Sequence, residues 1–219
     1  MDISEDVWDA ARDLRYLLNR GYPKETSLQI VGNRYNLTRD LRHILRRGVF
    51  RNRIAAERKK KTVSLKALRG HELAVDGHNV LITLETALNK ETILCADDGF
   101  IRDISQVSGR YRRGEATDKA LHLIIELLTN ADPSEVLFLL DSPISGSGDL
   151  AAEFRNLLSR AGIAGQAMAV KVPERIMVKY AGIIASSDTA VIDRAERVFD
   201  VAGHLIRERL HVPIVSLKR

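Results

Sequence analysis

The spacing of the apolar residues changes near residue 70. Before this point they recur at helical spacing, and after it short apolar runs alternate with amphipathic helical stretches. The runs are residues 73–75, 93–96, 136–140, 167–170, 183–185 and 214–215. Buried strands that alternate with helices are typical of a mainly parallel sheet with helices on both faces. We therefore predict an α/β domain over residues 66–219, preceded by a small basic helical segment over residues 1–65.

Three helices are predicted in the first segment. The first covers about residues 4–20, and the second opens after Pro23. Residues 32–37 are interpreted as a turn, after which a third helix runs from the N-cap Thr38 to Gly48. Two short helices around a glycine-containing turn are typical of a helix-turn-helix. They are equally compatible with a plain helical bundle whose arginines are solvated, and the sequence leaves both interpretations open.

Basic residues are concentrated in the same segment. Residues 1–70 hold 17 Lys or Arg and 8 Asp or Glu, a net charge of +9, whereas the remainder has a net charge of −4. This separation predicts a nucleic-acid partner, although a solvated surface rich in Arg and Glu is the alternative. Residues 51–61 are interpreted as a basic linker, suited to phosphate contact because the run at 58–61 contains no aromatic residue. The residues predicted to contact nucleic acid are Arg42, Arg46, Arg47, Arg51, Arg53, Arg58, Lys59, Lys60, Lys61, Arg110, Arg112 and Arg113.

Several classes of protein are disfavoured by missing patterns. No apolar run approaches the roughly 18–20 residues of a membrane helix, and the acidic N-terminus is unlike a secretory signal, so we expect a cytoplasmic location and no membrane partner. The single cysteine and the six histidines without ligand spacing argue against a zinc site. Glycine-rich phosphate loops and a serine-nucleophile motif are absent from the sequence. The oligomeric state stays open.

Aspartates follow four of the apolar runs. They are Asp76, the pair Asp97 and Asp98, Asp141, and Asp188. One aspartate after a strand is often only the N-cap of the next helix, but the carboxyl ends of parallel strands meet at one edge of a sheet. Carboxylates gathered there raise one another's pKa unless a cation joins them. Since hard divalent cations prefer oxygen ligands, the pattern predicts a Mg²⁺ or Mn²⁺ site.

Three segments resemble a known nuclease superfamily. Residues 76–80, Asp-Gly-His-Asn-Val, resemble the D-G-x-N-V opening of NYN domains, a branch of the PIN-like nucleases. Residues 136–141 resemble their middle strand with its acidic end, and residues 183–188 resemble their late strand ending in S-x-D. The resemblance covers about residues 70–210. The whole chain, including residues 96–100, also resembles an archaeal family described as a domain of unknown function.

The PIN/NYN resemblance implies a set of site residues. Asp76, Asp141 and Asp188 become metal ligands and catalytic residues, and Asn79 holds the first turn or a substrate phosphate. The remaining supporting candidates are Ser186, Ser187, Asp193, Asp97, Asp98 and Asp103. Of these, the last three lie outside the NYN pattern and either complete the site or cap a loop.

The chain also departs from that pattern. NYN late strands continue as S-x-D-x-D, and here the second acidic position is Ala190, with Asp193 one helical turn further along. The acidic helix residue common in PIN domains has only two candidates, Glu85 and Asp118, and for each a surface role is the simpler interpretation.

The resulting functional hypothesis is a metal-dependent nuclease that hydrolyses RNA phosphodiester bonds, with RNA favoured over DNA as the partner. Two alternatives stay open. The first is a nucleic-acid-binding protein with an inert PIN-like domain, which the alanine at position 190 favours. The second is a phosphatase or phosphotransfer enzyme acting on a small substrate, which would have no use for the basic first segment.

Overall fold

The computed structural model describes residues 4–104 and 113–218. The chain forms two compact units. The first contains Met1–Lys60, Thr92–Ile104 and Pro213–Arg219, and the second contains Lys61–Glu91 and Ser105–Val212. The chain thus passes into the second unit close to the predicted boundary at residue 65, but two later segments return to the first unit. Residues 66–219 therefore contribute to both units.

The first unit begins with four helices. They are α1 (Glu5–Asn19), α2 (Lys24–Arg34), α3 (Arg39–Gly48) and α4 (Asn52–Lys60). The first three occur where the sequence predicts them, because each has one apolar side, and Leu14, Ile44 and Leu45 are among the fully buried residues. The predicted N-cap Thr38 accepts a hydrogen bond from the Leu41 amide at 3.4 Å.

Two details of this helical part differ from the prediction. Gly32, interpreted as the start of a turn, lies inside α2. A Cβ atom there would come within 2.3 Å of the Arg42 Nη1 atom, so the Arg42 side chain would have to shift. Residues 51–61, interpreted as a linker, contain α4 instead, since Ala55 and Arg58 give this stretch one buried side.

A small sheet completes the first unit. Its strands are β2 (Ile93–Cys95), β3 (Ile101–Asp103) and β7 (Ile214–Ser216). β2 lies in the middle, antiparallel to β3 and parallel to β7. The apolar runs at 93–96 and 214–215 do form strands, but the expectation that they belong to the main parallel sheet is wrong. They pair with each other, which explains why both segments belong to the first unit.

The second unit is built on a four-stranded parallel sheet. Its strands are β1 (Glu72–Asp76), β4 (Glu135–Asp141), β5 (Gly165–Val170) and β6 (Ile183–Ala185), in the spatial order β5-β4-β1-β6. Successive residues of a strand point to opposite faces, and Leu73, Ala74 and Val75 are all fully buried. Both faces of the central strand are therefore covered. The predicted α/β class with a mainly parallel sheet is confirmed.

Helices and turns connect these strands. They are the 3₁₀ turn Leu65–Leu68, α5 (Gly77–Leu88), α6 (Glu115–Ala131), α7 (Ser147–Arg160), α8 (Pro173–Met177), α9 (Thr189–Arg194), α10 (Val201–Leu205) and the π-helical segment Ile206–Leu210. Asp149 lies in the first turn of α7, which begins at Ser147. Across residues 4–104 and 113–218, no helix has the length and apolar character needed to cross a membrane.

The order of the strands locates a crevice in the second unit. From β1 the chain moves outward to β4 and then to β5, and it returns to the other side of β1 to form β6. In open parallel sheets, ligands bind outside the carboxyl ends of the strands, at the place where the strand order reverses. Here that place lies between the ends of β1 and β6, at Asp76 and Ala185.

Gly77, the first residue of α5, allows the adjacent strand β4 to approach closely. A Cβ atom there would lie 2.6 Å from Leu140 Cδ2 and 3.2 Å from the Leu139 carbonyl oxygen.

We expect Gly77→Ala to lower the free energy of unfolding by about 1–3 kcal/mol, because β4 must shift. Gly148 is the matched control, since it lies in the first turn of α7 with no atom near its Cβ position. Gly148→Ala should be neutral or stabilising by about 0.5–1 kcal/mol. Denaturant unfolding of both variants makes the comparison, and equal stability would contradict the tight contact.

Candidate functional site

Asp76 lies at the centre of the candidate site. It is the last residue of β1 and the N-cap of α5. Its Oδ1 atom accepts a hydrogen bond from the Asn79 amide at 3.3 Å, and its Oδ2 atom accepts one from the Ser186 hydroxyl at 3.0 Å. With 7% of its surface exposed, Asp76 is a buried carboxylate held from both neighbouring segments.

The end of β6 is joined to the first turn of α5 by further hydrogen bonds. Asn79 Oδ1 accepts from the Ser187 amide at 2.8 Å and from the Ser187 hydroxyl at 3.0 Å. The Asp188 amide donates to Ser186 Oγ at 3.0 Å. The Asp188 carboxylate in turn caps α9, with Oδ1 accepting from the Ala190 amide at 2.8 Å. The network brings together five residues that the sequence analysis singled out.

Asp141 approaches Asp76 from the other side. β4 pairs with β1 so that Asp76 lies opposite Leu139, and Asp141 is therefore two residues further along. The Asp141 amide donates to His78 Nδ1 at 3.0 Å, and the same nitrogen lies 3.7 Å from the Asp141 carboxylate. A nitrogen that accepts a hydrogen bond carries no proton, so the His78 ring protonated on Nε2 fits this arrangement. His78 was missed by the sequence analysis; it is the variable position of the D-G-x-N motif.

The electrostatics of Asp76 reflect this crowding. Burial raises the pKa of Asp76 to about 7, and the negative charges of Asp141 and Asp188 add to the effect. The hydrogen bonds from Ser186 and Asn79 act in the opposite direction without reversing it. Three carboxylates from the ends of three adjacent strands therefore influence one another, as the sequence predicts for the edge of a parallel sheet.

The remaining acidic candidates of the second unit have other contacts. Glu85 accepts a hydrogen bond from the Thr117 hydroxyl, and Asp118 forms an ion pair with Arg113 at 2.6 Å. The Asp193 carbonyl accepts from the Lys61 ammonium at 2.7 Å. Lys61 also donates to the Ile192 carbonyl at 2.9 Å. Its ammonium group, which was predicted to contact nucleic acid, therefore caps the C-terminal end of α9.

Asp97, Asp98 and Asp103 belong to the first unit, where arginines hold them. Arg15 forms two bonds of 2.8 Å with Asp97, and Arg47 lies 3.4 Å from Asp103. They were predicted to complete the metal site or cap a loop. β3 ends at Asp103, and β2 precedes Asp97 and Asp98; both strands belong to the small sheet. The ion pairs with arginine account for these three carboxylates.

Asp98 is the most deeply buried of these carboxylates. Arg102 binds both of its oxygens, at 2.7 and 2.9 Å, and Arg58 binds one at 3.1 Å. Burial by itself raises the pKa of Asp98, but hydrogen bonds and positive charge from Arg102 and Arg58 outweigh it and hold the pKa below its ordinary value. Arg58, predicted to bind nucleic acid, is thus a buried partner of a carboxylate instead.

The other predicted nucleic-acid contacts fall into two groups. Most have internal partners, which are Asn33 and the Leu37 carbonyl for Arg42, Glu25 for Arg46, Asp103 for Arg47, the Tyr22 carbonyl for Arg51, and Asp118 with Glu153 for Arg113. Arg53, Lys59 and Lys60 are exposed, and of these Arg53 lies 3.5 Å from Glu57. Arg110 and Arg112 lie outside the described residues.

Removing the Asp98 charge should destabilise the protein. We expect Asp98→Asn to lower the free energy of unfolding by about 3–5 kcal/mol, because two buried arginines lose their shared partner. Glu57→Gln is the control, since Glu57 pairs with Arg53 at 3.5 Å on the surface and such pairs contribute about 1 kcal/mol or less. Urea unfolding measures both variants. Similar losses for the two would contradict the central role of the buried pair.

The raised pKa of Asp76 predicts how stability depends on pH. Because the folded-state pKa, about 7, exceeds the ordinary value of 3.8, the unfolded chain releases this proton first, and stability falls as pH rises between these values. Asparagine does not ionise, so Asp76→Asn avoids this loss. In the absence of divalent cations, the free energy of unfolding of the variant minus that of the wild type should be larger at about pH 8 than at about pH 5, by roughly 3 kcal/mol. Asp118→Asn, at an exposed carboxylate of the same unit, should show no such gain. Chemical denaturation at the two pH values tests this, and a constant difference for Asp76→Asn would contradict it.

Comparison with known proteins places the chain among relatives whose activity is not assigned. Residues 7–61 match a model described as protein of unknown function DUF434. "Uncharacterized protein MJ0935" of Methanocaldococcus jannaschii is 34% identical over 199 residues, which cover 90% of this chain and 95% of that protein. No solved structure matches the chain. A second model, described as domain of unknown function DUF5616, matches residues 65–204, and the chain belongs to this family.

Proposed function

We propose that this protein hydrolyses phosphodiester bonds in nucleic acid with the help of Mg²⁺ or Mn²⁺, with RNA favoured over DNA. The observation that carries the proposal is the position of Asp76. It lies on the central strand at the point where the strand order reverses. Burial raises its pKa to about 7, and the negative charges of Asp141 and Asp188 add to that effect. Excess negative charge at such a position is what a bound cation would neutralise.

The proposed divalent cation would lie at this edge of the sheet. Asp76, Asp141 and Asp188 are the residues that would hold it. Within the part of the chain that the structure describes, no group of three or more His, Cys, Asp or Glu side chains is arranged to hold a metal. Mg²⁺, however, is usually bound by one or two carboxylates together with water and substrate phosphates, and not by a complete cage of protein ligands. A bound cation of this kind supplies an activated water and stabilises charge on the leaving oxygen.

The surrounding residues orient the carboxylates. The Ser186 hydroxyl fixes Asp76 Oδ2, and the Asn79 side chain holds the Ser187 backbone and hydroxyl. Each of these groups lies at the end of a strand or in the first turn of a helix, so the carboxylates are held by rigid elements. Such support keeps reacting groups within the narrow geometric range that catalysis needs.

A polyanionic substrate is supported by the basic first segment. Residues 1–70 carry a net charge of +9, but their surface offers less positive charge than this, because several arginines are paired inside the protein. Arg53, Lys59 and Lys60 are still exposed on α4, and Arg53 is 84% exposed. These groups supply sequence-independent attraction to phosphates. The preference for RNA rests on the PIN/NYN resemblance.

Binding of nucleic acid without cleavage is the second candidate function. It is favoured by Ala190, which occupies the second acidic position of the NYN pattern and lies at the start of α9. The absence of a three-ligand metal group among the described residues points the same way. The two candidates differ in whether the charge of Asp76 is needed for a reaction.

The test is Asp76→Asn in a cleavage assay with labelled RNA and Mg²⁺ or Mn²⁺. Asparagine keeps the shape and the N-cap hydrogen bond, but it removes the charge that would hold the cation. We expect cleavage to fall by about a hundredfold or more. Binding of RNA without metal should be unchanged or slightly tighter, because one negative charge near the phosphates is gone.

Asp132→Asn is the matched control, because it removes a carboxylate of the same unit that is 71% exposed and was not predicted to belong to the site, and it should keep wild-type cleavage. Equal cleavage by the wild type and Asp76→Asn would contradict the proposed site. Tight RNA binding by a wild type that does not cleave would favour the second candidate.

A further inference from the structure

A cleft of about 240 Å³ lies in the first unit, whereas the residues assigned to hydrolysis belong to the second. It combines one aromatic ring, three cations, one carboxylate and one aliphatic side chain. The lining residues are Trp8, Asp9, Arg12, Arg15, Leu217 and Lys218.

Trp8 forms a fixed aromatic wall of this cleft. Its indole Nε1–H donates a hydrogen bond of 2.9 Å to the Ser216 carbonyl of β7. This contact joins α1 to the end of β7 and holds the ring by its edge. Trp8 is half-buried and lines the cleft, so its indole contributes aromatic surface that a planar ring can contact.

Two of the three cations of the cleft, Arg15 and Lys218, contact the buried residue Asp97. Asp97 binds Arg15 at 2.8 Å through each oxygen, and the Lys218 ammonium donates to the Asp97 carbonyl at 3.1 Å. Arg12 pairs with Asp9 at 3.1 Å, and its side chain is 70% exposed. The three cations face two carboxylates, so the cleft retains a positive surplus. Arg12 and Lys218, whose side chain is 54% exposed, are accessible to a ligand.

The chemistry of the lining defines the class of ligand. An aromatic face next to accessible cations matches a nucleotide, because every base has a π-face and every phosphate a negative charge. An acidic peptide would use the cations without the indole, and an apolar ligand would leave the cations unpaired. Bases in a duplex are stacked on each other, so a single strand is the form that can place one base against Trp8.

We propose that this cleft binds one nucleotide of a single-stranded nucleic acid, with its base stacked on Trp8 and its phosphate bound by Arg12 and Lys218. The inference rests on the nucleic-acid substrate of the proposed function. It adds a second contact point for that substrate, located in the first unit.

Trp8 is the single tryptophan of the chain, so its fluorescence reports on this cleft directly. The probe is an oligouridylate of about eight nucleotides, titrated into the full-length protein in EDTA so that cleavage does not interfere. We expect saturable quenching of Trp8 fluorescence. Arg12→Ala should weaken the apparent affinity by about fivefold or more, because a charge-assisted phosphate contact is lost.

Arg34→Ala is the matched control. Arg34 is also 70% exposed and pairs with an aspartate, Asp13, at 3.4 Å, but it does not line the cleft. Its affinity should stay within about twofold of the wild type. Equal losses for Arg12→Ala and Arg34→Ala would overturn the inference, because they would indicate general charge attraction. Equal quenching by tripolyphosphate, which has no base, would overturn the stacking contact.

Failure of the cleft and failure of the proposed function can be separated. Fluorescence anisotropy of end-labelled RNA measures binding by any part of the protein. RNA binding without Trp8 quenching would overturn the cleft and leave the hydrolytic site untouched. Specific quenching, sensitive to Arg12→Ala, in a protein that never cleaves RNA would support the cleft while contradicting the proposed hydrolysis.

Discussion

The hydrogen bond between Asp76 and Ser186 is the contact on which the arrangement of the second unit's carboxyl edge depends. Asp76 ends the central strand and caps α5, and Ser186 follows β6 on the far side of the reversal in strand order. The same hydroxyl accepts from the Asp188 amide, so the position of Asp188 follows from that of Asp76. Burial makes the Asp76 charge costly, and a structure that keeps a costly carboxylate at this edge has the electrostatics expected of a functional site.

Buried ion pairs play the corresponding part in the first unit. Asp97 and Asp98 are adjacent in the chain, and they engage different arginines, Arg15 for the first and Arg58 with Arg102 for the second. A carboxylate inside a protein requires partners of this kind. The positive charge of residues 1–70 is therefore divided between structural pairs and surface residues, and net charge alone overstates the surface that a nucleic acid could meet.

Local signals were sufficient for much of the secondary structure. Thr38 caps α3, and the run at 136–140 is a buried strand, both as predicted. Each of these features depends on residues that are close together in the chain, so the local sequence pattern is sufficient to predict it. Gly32 shows the limit of this approach. Its lack of a side chain leaves room for the Arg42 side chain of another helix. When only the sequence is available, a glycine at this position resembles a turn signal.

The sequence by itself determined the α/β class, the apolar runs that become strands, and the aspartates that end them. The sheet to which each strand belongs was decided by the tertiary structure, because the three-residue strands β2 and β6 have the same apolar character and differ only in their partners. That choice separates Asp97 and Asp98, which pair with arginines in the first unit, from Asp76, Asp141 and Asp188, which lie at the ends of neighbouring strands. Strand pairing joins residues that are far apart in the chain, and the free energy that selects one pairing arises only when the side chains are packed.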